Sequence, residues 1–322
     1  MQENTDYTML YRIAKYYYID NMSQSEIAMK EHMSRPHISR LLDKARQVGI
    51  VEINVTMPET LQVEKAAKIL KRRLGLQEAI VVLAPTETKN LDKKISMNIA
   101  TAAAQNIPNL IKGCSNIGIG WGYTMYQTSL QLPYSDSIDA TFVPLVGISG
   151  ENNPFLQINA IVDRFAEKSG ADSYYINIPA VREKGTQLAQ IEIERFDKIK
   201  QYWSSLDAAI IGLGVSPKVG EFLISEVSKE YKEAIAKSNT LGDILCQFFY
   251  EDGTLFDFRG AYEQTSFPVQ ELKNIRKVIC VAGGPAKVNG IITAARHGFF
   301  NMLITDINTA RLIIDSDEKS HF

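Results

Sequence analysis

Residues 23–49 read SQSEIAMKEHMSRPHISRLLDKARQVG. Arg35, Arg40, Lys44 and Arg46 fall within twelve residues of this stretch, against the one acid Asp43, in a chain whose net charge is −2. Two helix starts are written into it. Ser23 with Glu26 three residues on is the capping-box pattern, in which two orphan N–H groups are satisfied reciprocally. Ser34 precedes the second start as its candidate N-cap, with Pro36 in the first turn, where a missing N–H costs nothing. Ile38, Leu41, Leu42, Ala45 and Val48 then recur at helical spacing and form one apolar stripe. At about 100° per residue, the opposite face carries Pro36, Arg40, Asp43 and Gln47, flanked by His37, Ser39 and Lys44. Gly49 stops the helix.

Upstream, residues 5–20 predict a helix with Leu10, Ile13, Ala14 and Tyr17 at helical spacing. Ile27 and Ala28 face inward from a helix over residues 23–32. Downstream, residues 50–57 (IVEINVTM) alternate, which predicts a strand or small wing ended by Pro58. Three helices and a wing in fewer than 60 residues outline a winged helix-turn-helix. A charged outer face on its own is ordinary for a solvated helix. Two capped helices, a tight turn and a wing in sequence point instead to DNA. The candidate DNA face is Ser34, Arg35, Pro36, His37, Ser39, Arg40 and Lys44. Arg35 and His37 sit in the first turn, the end nearest the base edges in this motif. Arg40 points away from the core, and Arg donates two hydrogen bonds to guanine N7 and O6. Ser39, Lys44 and Arg46 suit phosphates, which position without specifying sequence. Tyr16, Tyr17 and Tyr18 read as packing residues.

The whole chain, 322 residues with 45% hydrophobic and 22% charged content, has room for two domains. The expected division is residues 1–57 and 58–322. The first segment holds seven Lys/Arg and seven Asp/Glu, so any basic surface there is a matter of clustering. The apolar run at 208–215 is far shorter than the roughly 20 residues of a membrane span. The amino-terminal residues are polar where a signal peptide would be apolar. A soluble, cytoplasmic protein with no membrane partner is expected. Cys114, Cys246 and Cys280 are odd in number and far apart, so reduced, buried thiols are expected. His32, His37, His297 and His321 show no ligand spacing, so neither a metal nor a cofactor is expected.

Beyond residue 58 the pattern becomes that of an α/β domain. Residues 61–75, LQVEKAAKILKRRLG, mark an amphipathic helix expected over 60–74, with Val63, Ala66, Ala67, Leu70 and Leu74 inward, suited to a linker or to pairing with a second subunit. Strands are expected at 79–83, 116–120, 139–143, 173–178, 207–212, 277–282 and 301–305. The helices expected among them are 92–106, 124–131, 154–168, 195–205, 285–296 and 307–315. Such alternation argues for a mostly parallel sheet covered on both faces. Residues 242–258 read differently, as a hairpin turning at 251–253.

Several expected strands run into glycine. Residues 116–124 read NIGIGWGYT, with Gly118, Gly120 and Gly122 ahead of a helix. Glycine lets backbone amides approach a ligand, and a helix N-terminus offers N–H groups and a positive dipole end. The dinucleotide pattern fails at Tyr123 and Met125, and the Walker pattern fails too. By itself this loop is equally a tight strand–helix turn or an anion site. Gly212-Leu213-Gly214, Gly283-Gly284 with Lys287 just beyond, and Gly147 with Gly150 follow other strands. All these turns lie at strand carboxyl ends, where parallel sheets bind ligands. Their convergence predicts a small-molecule cleft, with Lys287 the cation for a phosphate or an acidic hydroxyl.

These motifs carry a resemblance. YRIAKYYYIDNMSQSEIA, SRPHISRLLDKARQVGIV, GIGWGYT, FVPLVG, NIPAV, AAIIGLG, GDILCQFF, VAGGPAK and LITD, in this order and nearly end to end, resemble the SorC-type transcriptional regulators. Those regulators include sorbose, deoxyribonucleoside and phospho-autoinducer-2 sensors. The resemblance implies a winged helix-turn-helix joined to an α/β effector domain similar to ribose-5-phosphate isomerase and glucosamine-6-phosphate deaminase, and assembly as dimers or tetramers. It also implies an effector site at Gly120, Trp121, Gly122, Tyr123, Thr124, Asp243 and Lys287. The deoxyribonucleoside type resembles this chain around FVPLVG but has a lysine that forms a Schiff base. Val146 stands at that place, so no covalent adduct is expected. Many relatives read Phe-Phe-Asp where this chain has Phe248-Phe249-Tyr250.

The expected function is therefore a DNA-binding regulator of a carbohydrate operon, with operator DNA and a sugar or sugar phosphate as partners. An isomerase- or deaminase-like enzyme with Asp243 as general base is the alternative. A constitutive architectural DNA binder is a third reading.

Overall fold

In the computed structural model, residues 6–52, 58–85, 89–135, 137–149, 157–218, 227–257 and 260–318 are described. The chain forms two compact units, Met1–Pro58 and Glu59–Phe322.

The first unit is built from α1 (Tyr7–Tyr18), α2 (Gln24–Lys30) and α3 (Arg35–Gln47). At α2 the capping box is complete. Ser23 Oγ accepts the Glu26 N–H, and Glu26 accepts the Ser23 N–H at 2.8 Å. The third helix begins differently from expectation. Ser34 occupies the N-cap position in extended backbone, but its hydroxyl makes no capping hydrogen bond. Pro36 has no N–H to offer it, and the His37 N–H goes to the Ser34 carbonyl at 2.9 Å. Ile13, Ile27, Ile38 and Leu42 form one buried cluster, and Leu10, Ala14 and Ala45 another. Arg12 of α1 donates to both carboxylate oxygens of Glu31 just after α2, at 3.1 and 2.9 Å. Most of the expected wing, residues 53–57, lies outside the described residues, and no strand is formed over 50–52.

The second unit opens with α4 (Glu59–Arg73) and continues through β1 (Glu78–Val82), α5 (Leu91–Leu110), β2 (Asn116–Ile119), α6 (Tyr123–Gln131), β3 (Thr141–Pro144), α7 (Ile158–Ser169), β4 (Asp172–Ser173), β5 (Val181–Glu183), α8 (Gln190–Trp203), β6 (Ala208–Gly212) and β7 (Gly214–Val215). After these come α9 (Lys229–Lys237), β8 (Gly242–Ile244), β9 (Gln247–Phe249), β10 (Tyr262–Gln264), β11 (Lys277–Val281), α10 (Val288–Arg296), β12 (Met302–Asp306) and α11 (Ile307–Glu318). Seven strands form one all-parallel sheet in the order β1-β12-β11-β6-β2-β3-β4. The central strands β2, β6 and β11 are apolar once past the polar first residues Asn116 and Lys277, as burial on both faces requires; Ile117, Ile119, Ile210, Ile211, Ile279 and Val281 are all fully buried.

Three departures from the sequence reading have local causes. The strand expected at 173–178 is only the two-residue β4, because Asn159 of α7 takes over the backbone of Ile176. It accepts the Ile176 N–H at 3.0 Å and donates to the Ile176 carbonyl at 2.7 Å. Helix α8 starts at Gln190 rather than 195, because Glu192 reaches back to accept the Ala189 N–H at 2.7 Å. In the 242–258 segment the bend at 251–253 forms, with the Gly253 N–H on the Tyr250 carbonyl at 3.0 Å. The tight hairpin of this segment, however, joins β8 to β9 through Leu245 and Cys246, whose φ values are +53° and +63°.

The three cysteines are free and buried. No helix among the described residues is long and apolar enough to cross a membrane.

The first unit's core is small, so each side chain carries much of it. Large-to-small core changes cost about 2–5 kcal/mol, and a unit of ~60 residues has only ~3–9 kcal/mol in total. Ile38→Ala is expected to lower the melting transition of residues 1–58 by ~10 °C or more. Differential scanning calorimetry should show the transition of residues 59–322 unmoved.

Candidate functional site

The strand order reverses beside β2: the chain passes from β2 to β3 on one side and later adds β6 on the other. Such a switch point opens a crevice at the carboxyl ends of the strands. A cavity of about 300 Å³ lies there, walled by residues 121–125 after β2, residues 212–215 after β6, and by Ser96, Pro217, Asp243, Leu245, Cys246, Phe248 and Lys287. Trp121, Gly122, Tyr123, Thr124, Asp243 and Lys287 are therefore brought together as expected from the sequence. Gly120 is not a wall. It is buried one step deeper, its N–H donated to the Ile210 carbonyl at 2.9 Å. Gly147 does not join the cavity either; its N–H pairs with the Thr265 carbonyl at 2.7 Å, and Gly150 lies outside the described residues. Val146 is fully buried and away from the walls.

Two opposite charges face this space. Asp243 is pushed up to about 6 by burial, an effect opposed by the Cys246 N–H it accepts and by the positive charge of Lys287. Burial holds Lys287 below the ordinary lysine range, opposed by Cys280, Asp243 and Asp92. Cys280, behind the cavity on β11, is pushed up to about 12 by burial and stays a thiol.

Backbone geometry makes room for these groups. Asp243 pairs with Gly214 across β7 and β8, and a Cβ on Gly214 would stand 1.9 Å from Asp243 Oδ1. Only glycine lets the carboxylate lie there. The Leu245–Cys246 turn, which gives Asp243 its N–H donor, places two ordinary side chains at positive φ, as a type I′ hairpin demands. Such residues persist only when their surroundings over-determine them. Gln264 donates to the Cys246 carbonyl at 2.8 Å. The adjacent, buried Gln247 donates to the Phe267 carbonyl at 2.8 Å and accepts the Val269 N–H at 3.1 Å. No Gly, Asn or Asp marks this turn in the sequence, which is why Leu245 and Cys246 escape a reading by residue type. Phe248 and Pro217 are further walls with no signal of their own.

In the first unit, Ser34, Arg35, Pro36, Arg40 and Lys44 of the α3 segment are exposed, and His37 and Ser39 half-buried. Arg40 Nε donates to the Pro36 carbonyl at 3.4 Å, folding its guanidinium back along the helix start. Arg46 is ion-paired with Asp43 on the same face.

Comparison with known proteins places these two regions in context. The family model described as "Putative sugar-binding domain" matches residues 59–315. The sorbitol operon regulator of Klebsiella pneumoniae is 28% identical over 98% of this chain and 100% of its own length. The deoxyribonucleoside regulator of Bacillus subtilis is 28% identical over 94% of this chain and 96% of its own. The crystal structure of the full-length sorbitol operon regulator SorC from Klebsiella pneumoniae superposes with a TM-score of 0.68 at 27% identity, covering 95% of this chain and 98% of that one.

The ionisation of Asp243 predicts a pH signature. An acid whose folded pKa is raised favours the fold below its unfolded value of 3.8, and that advantage disappears as pH rises through about 6. Asp243→Asn removes the buried charge. Above pH 6 the variant is expected to be more stable than wild type by on the order of 1–3 kcal/mol. Urea titrations from pH 4 to 8 should show this gain closing as pH falls from 6 to 4.

Proposed function

The chain belongs to the sugar-binding domain family, and on that premise we propose that it is a sequence-specific DNA-binding transcriptional regulator of a carbohydrate operon, controlled by a sugar or sugar phosphate. The observation that carries this reading is the meeting of Asp243, Lys287 and the α6 N-terminus around one cavity at the sheet's switch point. The ionised Asp243 carboxylate accepts hydrogen bonds from sugar hydroxyls, and Lys287 donates them. The backbone at Gly122, Tyr123 and Thr124 receives a phosphate or a terminal hydroxyl. The Trp121 ring covers an apolar sugar face, and Gly120 supports this loop from beneath. The relatives are named as regulators, and this favours sensing over turnover. Asp243, at about 6, is also the group that the alternative isomerase or deaminase reading would use as a base.

Residues 1–57 act as the DNA-binding domain and residues 58–322 as the effector and oligomerisation domain. Arg35, His37 and Arg40 read base edges, while Ser34, Pro36, Ser39 and Lys44 meet the backbone. A dimer or tetramer in the cytoplasm presents two copies of α3 to successive major grooves, about 34 Å apart. The two activities are linked through α4, which begins where the first unit ends. Arg311 of α11 donates to Gln62 of α4, and Arg73 of α4 donates to the Ile314 carbonyl of α11 at 2.5 Å. An effector changes DNA affinity only by its differential affinity for the two arrangements of this assembly.

Three measurements test the reading. Arg40→Ala is expected to weaken operator binding in gel shifts by roughly 5- to 100-fold, since a bidentate base contact is worth ~1–3 kcal/mol. Unchanged affinity would remove its base-reading role. Lys287→Ala should bind operator as wild type does, yet lose the thermal shift given by any sugar, polyol or sugar phosphate that stabilises wild type. Steady turnover of a sugar-phosphate panel would favour the enzyme.

A further inference from the structure

Asp306 ends β12 with its carboxylate fully buried. Three donors meet it. Oδ1 accepts the N–H groups of Asn308 and Thr309 at 3.0 and 3.1 Å, and Oδ2 accepts the Thr309 hydroxyl. The carboxylate thus closes the amino end of α11, where negative charge is favoured, and fixes the Thr309 rotamer. The Thr309 oxygen in turn accepts the buried Gly284 N–H at 2.7 Å. The other side of Gly284 is held too, its carbonyl accepting the Lys287 N–H at 3.0 Å. Gly284 has φ +110°, a conformation that excludes side chains, and a Cβ on Gly283 would lie 2.7 Å from Asp306 Oδ2. Two successive glycines, a buried hydroxyl and a buried carboxylate therefore interlock. The short 3-10 turn they launch, Pro285–Lys287, ends on the cavity lysine.

We propose that Thr309, fixed by Asp306, is the positioning residue for Lys287: it touches no ligand and acts through the Gly284 peptide to hold the lysine at the cavity wall. The consequence for sugar binding rests on the effector reading of the cavity; the clamp itself does not. Removing the hydroxyl orphans a buried N–H and takes one donor from a buried carboxylate, so the turn has no reason to keep its geometry. Lys287 then leaves the space it shares with Asp243, Asp92 and Cys280, the groups that face it from β8, α5 and β11.

The test uses the full-length chain, with lysines methylated by ¹³C-formaldehyde and the Lys287 signal assigned by its loss in Lys287→Arg. In wild type this signal should titrate below the ordinary lysine value, and in Thr309→Val it should move toward 10.5. Thr309→Ser, which keeps the hydroxyl, should titrate as wild type. A Thr309→Val protein that folds with an unmoved Lys287 titration overturns the proposal. So does a Thr309→Ser protein whose Lys287 titrates like an exposed lysine, a result available even if the valine variant does not fold. A thermal-shift screen of the same proteins with neutral hexoses, hexitols and hexose phosphates separates the two claims. Absence of any hit on wild type counts against the effector reading, while the titration still decides the clamp.

Discussion

A carboxylate and an ammonium face the same partly dehydrated space, and the strained β8–β9 turn and the bare Gly214 beside it hold the carboxylate there. Burial penalises both charges, so each needs compensation: Asp243 from the Cys246 N–H and Lys287, and Lys287 from Asp243 and Asp92. A buried pair of this kind is weak evidence for stability, because apolar residues of equal volume often do as well or better. The compensating parts are costly in themselves. Leu245 and Cys246 adopt positive φ, and Gly214 forgoes a side chain so that the carboxylate can lie against its Cα. Strain concentrated in the walls of one cavity, within an otherwise regular sheet, is the pattern expected where function is served at the expense of the fold.

How much of this was legible in the sequence depended on whether the stabilising partner was near or far along the chain. The parallel strands announced themselves as short apolar runs, since burial on both faces leaves no other composition. The capping box at Ser23 and Glu26 is a contact within four residues, and it formed as read. Two of the failures were non-local; the start of α8, fixed by Glu192 on Ala189 three residues back, was not. Asn159 displaced a strand partner at Ile176 from seventeen residues away, and Gln264 fixed the Cys246 turn from eighteen. A turn pinned by distant amides needs no glycine, so residue type could not reveal it. Glycine, conversely, was read too generously. Gly147 and Gly120 lie in the same kind of strand–loop junction as Gly122, but their N–H groups are spent on Thr265 and Ile210.

The first unit shows the same lesson on a smaller scale. Ser34 with Pro36 two residues on reads as a capped helix start, but the proline that favours the first turn also removes a donor the serine would have used. The backbone closes the gap through His37, leaving the serine on the exposed side with Arg35, Arg40 and Lys44. Position along the helix was right and the bonding was not. The Arg12–Glu31 pair, nineteen residues apart, joins the first two helices and had no local signature at all.

A chain of hydrogen bonds runs from the cavity wall to α4. Strand β12 lies between the edge strand β1 and β11, and its final residue Asp306 reaches the glycine turn after β11 that carries Lys287. The helix that Asp306 caps is the one bound to α4 through Gln62 and the Ile314 carbonyl. One helix, α11, thus holds the Gly284 peptide at its amino end and binds α4, the first helix of the second unit, along its length. The turn that carries Lys287 has no slack, because both sides of the Gly284 peptide are already bonded. Packed elements shift as bodies rather than stretch, so any movement of this turn that keeps the Thr309 bond moves the amino end of α11 with it.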